Sequence, residues 1–153
     1  MKVETISQFV DWTHEYHLQL ANCMQACAVQ NSDARAQMLL HYIAGHELAL
    51  SNILQGYLGA DFGNALNSWV YEYFEKSPLS GHEHGCQAEY ASLDSRAILD
   101  KYIEQTNHVI HFYNMLSEKA NQTSGHALLV DLTQVQSQHI RQVVQGANRM
   151  DDM

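Results

Sequence analysis

Apolar residues in this chain return every three or four positions, the spacing of one face of an α-helix, in four separate stretches. The first, about 3–30, sets Ile6, Val10, Thr13, His17, Leu20, Met24 and Cys27 on a single stripe. The second, about 34–58, does the same with Leu40, Ile43, Glu47, Leu50, Leu54 and Tyr57. Tyr102, Thr106, Val109, Tyr113 and Leu116 line the third, about 94–121. Leu128, Leu132, Gln136, His139, Val143 and Met150 line the fourth, about 125–149. Asn31, Ser32 and Asp33 supply a turn and an N-cap before the second stretch, and Ser92 or Asp94 opens the third.

The interval from 61 to 92 breaks the pattern. It holds an aromatic segment with Trp69, Tyr71, Tyr73 and Phe74, then the chain's one proline, Pro78, and a Gly- and His-containing run. Helix-to-helix turns in bundles usually take about two to eight residues, so a connection this long can run the whole length of a bundle. The expectation is therefore a single all-α domain over 1–153: a four-helix bundle of two helical hairpins, joined by a long crossover containing a short helix. Helices of about 25 residues, each about 38 Å long, would bury their stripes against one another.

Histidine or glutamate stands at three stripe positions that call for leucine. At about 100° per residue, His17, Glu47 and His139 fall near the centres of their stripes, with His14, His46 and Gln136 beside them. His108 and His111 turn the other way, toward solvent with Glu104. His17, Glu47, Thr106 and His139 also lie within a residue or two of their helix midpoints, so angle and depth converge on one layer. A carboxylate there must be paired, protonated or metal-bound, because burying it bare costs several kcal/mol. Two readings follow. Imidazole and carboxylate donors can hold iron, zinc or manganese, with His17, Glu47 and His139 as ligands and His14, His46 and Gln136 in support. Alternatively Glu47 accepts hydrogen bonds from His17, His139 or a core tyrosine, a buried network with no metal.

Charge narrows the partners. Eight Lys and Arg against 17 Asp and Glu give a net charge of −9, which repels phosphate backbones and anionic membranes. No apolar run approaches roughly 18 residues, and the N-terminus lacks a basic segment followed by an apolar one, so a soluble, cytoplasmic protein is expected. Cys23, Cys27 and Cys86 are too few for a disulfide framework, which fits a reducing compartment; Cys23 and Cys27 read as small buried apolar side chains. His82, Glu83, His84 and Cys86 have a zinc- or copper-compatible spacing, set against the plainer reading of a polar loop.

The long second connection and the His- and Glu-bearing midplane resemble the ferritin-like superfamily, which includes ferritins, bacterioferritins and rubrerythrins. In its di-iron members two helices each give a Glu and two give a Glu-x-x-His pair. Here Glu47 is followed at the fourth position by Leu50, Gln136 precedes His139 where a Glu is expected, His17 takes a Glu position, and the third helix offers Thr106. The resemblance implies a metal-handling or oxidoreductase protein, reduced to a one-metal site, and a homodimer. His126 and Asp131 have a spacing found in the last helix of hemerythrins. The competing functions are a non-catalytic helical module acting through self-association or a protein partner, and a binder of a small apolar ligand inside the bundle.

Overall fold

The structure, a computed structural model, describes residues 2–73 and 88–152. Four long helices dominate it: α1 (Ile6–Gln30), α2 (Ala34–Gly59), α3 (Ser95–Lys119) and α4 (His126–Asp151). Local chemistry sets their starts. Thr5, in extended backbone, accepts the Gln8 amide at 3.2 Å, while Gln8 reaches back to the Glu4 amide at 2.8 Å, a reciprocal cap. Asp33 caps α2 through the Arg35 amide and Asp94 caps α3 through the Ala97 amide. α4 opens without a side-chain cap at Gly125, where a Cβ would collide with the Ile6 side chain of α1.

The helix order in space follows from pairs of contacts. His17 meets Glu47 while His14 meets Ser51, so α1 and α2 are antiparallel. Tyr42 of α2 donates to the Gln142 carbonyl at 3.2 Å while Glu47 faces His139, so α2 and α4 are antiparallel too. His126 sits on the Ser117 carbonyl across the short turn between α3 and α4, which makes these two antiparallel and α3 parallel to α2. The connection after Gly59 begins beside the start of α1, where the Ser7 amide donates to Leu66 and the Ile6 amide to Ser68. It arrives at the other end of the bundle, where the Asn31 amide donates to the carbonyls of Tyr90 and Leu93.

One local expectation is corrected. The first stretch is not helical from residue 3: β1 (Lys2–Thr5) pairs antiparallel with β2 (Trp69–Tyr73), with Val3 opposite Glu72 and an irregularity before Thr5. β-branched and aromatic residues favour strands, and helical periodicity does not reveal a ribbon of four or five residues. The aromatic segment is thus a strand over Trp69–Tyr73, and the short helix of the connection is a 3-10 helix at Ala88–Ala91. Phe74 and the His82, Glu83, His84 cluster lie outside the described residues.

The core runs the length of the bundle, and the stripes read from the sequence form it. Ile6, Val10, Leu20 and Met24 of α1 pack with Leu40, Ile43, Leu50 and Leu54 of α2, Val109 and Leu116 of α3, and Leu132 and Val143 of α4. His108, His111 and Glu104 are exposed, as expected. Cys23 and Cys27 are both buried, as expected; Cys23 is disulfide-bonded and Cys27 is not. Among the described residues no helix is long and apolar enough to cross a membrane.

Candidate functional site

Halfway along the bundle the apolar core gives way to a polar layer supplied by all four helices. Glu47 of α2 is wholly buried, and each of its oxygens has a partner: His17 Nδ1 of α1 donates to Oε2 at 2.5 Å, and the Tyr102 hydroxyl of α3 donates to Oε1 at 2.6 Å. His139 of α4 approaches Oε1 to 3.6 Å, just beyond hydrogen-bond distance. Burial alone pushes the Glu47 carboxyl up; the imidazoles of His17 and His139 outweigh it and hold the group well below the usual carboxylate range. Glu47 is therefore an ionised carboxylate inside the protein. Tyr102 moves oppositely, because burial and the neighbouring negative charge both disfavour its phenolate.

The layer continues past His17. Gln136 Nε2 of α4 donates to His17 Nε2 at 3.2 Å, so both imidazole nitrogens are engaged. Thr13 Oγ1 donates to the Val10 carbonyl and takes the Tyr113 hydroxyl proton at 2.6 Å. Burial pushes the Tyr113 hydroxyl up to about 12, with Thr13 and Gln136 pulling the other way. Among the described residues two buried polar atoms have no hydrogen-bond partner: His139 Nε2 and Gln136 Oε1. They sit one turn apart on the same face of α4.

Four of the six predicted site residues thus meet: His17, Glu47, Gln136 and His139. The other two flank them. His14 Nδ1 lies 2.8 Å from the Ser51 carbonyl and 2.9 Å from its hydroxyl, tying α1 to α2 one turn away from Glu47. His46 lies edge-on to Tyr42 and to His139, with ring centroids 4.6 and 5.5 Å away. Burial, and then the His139 imidazole, lower its basicity. His126 pairs with Ser117 at the bundle end and Asp131 is exposed, so the hemerythrin-like spacing does not reach the central layer. Tyr102 is the most important site residue that angle and depth alone did not single out. The available signal was a hydroxyl on an apolar stripe, which when buried needs an acceptor.

The donor set can be tested against a metal. Two atoms bound to one zinc or iron ion at about 2.0–2.2 Å sit roughly 3 Å apart or more. His17 Nδ1 and Glu47 Oε2, at 2.5 Å, are closer than that and share a proton instead. A di-iron centre does not fit either, since this layer presents one carboxylate. His139 Nε2 and Glu47 Oε1, at 3.6 Å, have the spacing of two donors to one ion, but among the described residues no third His, Cys, Asp or Glu joins them. Among the described residues no group of three or more His, Cys, Asp or Glu is arranged to hold a metal ion.

A depression between α2 and α4, about 200 Å³, leads from the surface to the edge of this layer. Leu50, Ile53 and Val135 line it together with Gln138, Gln142 and His139. No protein-family model, no curated protein and no solved structure matches the chain.

Proposed function

We propose that this chain is a non-catalytic helical module of ferritin-like plan, which acts by associating with a second copy of itself or with another protein. Its central polar layer is then a structural tie rather than a metal centre. The observation that carries this is the His17 to Glu47 hydrogen bond of 2.5 Å, together with the Tyr102 bond of 2.6 Å, which occupies both carboxylate oxygens within the protein. The ferritin-like plan is supported by the connection from α2 to α3, which begins at one end of the bundle and arrives at the other.

A second reading, one iron, zinc or manganese ion at His139 and Glu47, is favoured by the unpartnered Nε2 of His139 and its 3.6 Å separation from Oε1. Elemental analysis of protein purified without chelator separates the two, combined with thermal melts in iron(II), zinc and manganese. The structural-tie reading expects far less than one metal per chain and unchanged melting. Near-stoichiometric metal that disappears in His139→Ala would overturn it.

A further inference from the structure

We infer that the outward face of α2 is the surface on which two copies of this chain associate, helix against helix about a twofold axis. The inference rests on the self-association reading above and gives it a place. α2 has two ionisable side chains of the Asp, Glu, Lys or Arg type: Arg35, in its first turn, and Glu47, wholly buried. From 36 to 59 the outward face therefore carries none of them. It carries Met38, Leu48 and Ile53, which are 48%, 41% and 46% exposed. The other helices differ: Asp11 and Glu15 are exposed on α1, Glu104 and Glu118 on α3, and Asp131 and Arg141 on α4.

This matters because the chain has a net charge of −9. In a twofold pair the same patch is presented from both sides, so the outer face of α1, whose charged groups Asp11 and Glu15 are both acidic, would bring like charge near like charge. The outer face of α2 brings none. Depletion of charge together with exposed Met is also the composition found at the cores of protein interfaces.

The glycines of α2 point the same way independently. A glycine inside a helix is destabilising relative to alanine, so its presence asks for a reason. Gly125 and Gly146 have one, because a Cβ there would strike the Ile6 side chain and the Tyr42 ring. Gly45 and Gly56 have none among the described residues: a Cβ at either meets nothing within 4 Å. Together with Met38 and Ala49 they lie along one outward line, at steps of four and seven residues. Bare backbone on that line lets a second helix approach closely, since interhelical distance depends on the side chains at the crossing. Beside the line, the depression between α2 and α4 offers Leu50, Ile53 and Val135 to an apolar side chain of the partner copy.

Light scattering coupled to size exclusion, over a range of protein concentrations, tests this on the full chain. The wild type is expected at twice the chain mass. Ala49→Arg and Ile53→Glu, each placing like charges opposite one another, are expected at the single-chain mass with helical circular dichroism intact. Asn107→Arg, on the exposed face of α3, is expected to stay dimeric. Gly45→Ala, which any helix tolerates, is expected to weaken the dimer about tenfold. A dimer that survives Ala49→Arg and Ile53→Glu at unchanged affinity would overturn the assignment to this face and leave self-association standing. A wild type of single-chain mass throughout would overturn self-association itself, whereas the metal analysis above tests the structural tie separately.

Discussion

The two faces of α2 make opposite demands on the rest of the protein. Its inward face carries a carboxylate where leucine would be expected, and that carboxylate is satisfied only when α1 and α3 bring His17 and Tyr102 to the same depth. Its outward face carries no Asp, Glu, Lys or Arg after Arg35, and a Cβ at its Gly45 or Gly56 would touch nothing among the described residues. The difference teaches where position along the helix matters. An apolar layer tolerates some sliding, whereas a buried carboxylate hydrogen-bonded on both oxygens holds the helices in register. Changes inside should therefore break the fold, and changes outside should change only association.

The largest expected effect is Glu47→Ala. It strands the His17 and Tyr102 donors and leaves a cavity, and should cost about 3–5 kcal/mol in urea unfolding. A cost under about 1 kcal/mol would mean the inner face makes no special demand. Acid removes the same charge while keeping the side chain, so its effect ranks next. The folded-state pKa of Glu47 is depressed, so the stability it contributes is present above the ordinary glutamate value of about 4.3 and is lost as pH falls below it. The depressed basicity of His46 adds an earlier loss, beginning near about 6.5. Unfolding measured from neutral to acid pH should show a shallower acid decline in Glu47→Gln, and removal of the earlier phase in His46→Gln.

Tyr102→Phe should cost about 1–3 kcal/mol, because one carboxylate oxygen loses its donor. In the Glu47→Gln background the same change should cost less, and equal costs in a double-mutant cycle would show that the two groups are not coupled. The smallest effect belongs to the outer face. Ala49→Arg should change the stability of the single chain by no more than about 0.5 kcal/mol, as read from melts at high dilution. A large loss there would show that the outward face is packed on its own chain.

Most of the inner face was legible beforehand. Every residue read onto the first and third stripes is buried, because a long amphipathic helix shows its core face in a single periodicity. His17, Glu47, Gln136 and His139 were legible as one layer because depth and angle both follow from residue number once the helix bounds are known. Their roles were less so. Whether His17 and Glu47 share a proton or a metal depends on tenths of an ångström between two helices, and Tyr102 looks like any core aromatic until its hydroxyl is placed. The ribbon of Lys2–Thr5 with Trp69–Tyr73 was hidden because its partners are far apart in sequence and too short to show a period. The disulfide at Cys23 escaped for a related reason: spacing along one helix says nothing about a partner elsewhere.

By itself, then, the amino-acid order determined the number of helices, their inward faces and the depth at which charge had to be buried, since these follow from local periodicity and from the cost of moving a carboxylate out of water. Only the tertiary structure decided that the carboxylate is closed off by an imidazole and a phenol, that His139 is left beside it without a hydrogen-bond partner, and that Gly45 and Gly56 face open space. Those outcomes depend on distances between helices, which emerge only when all four are packed at once.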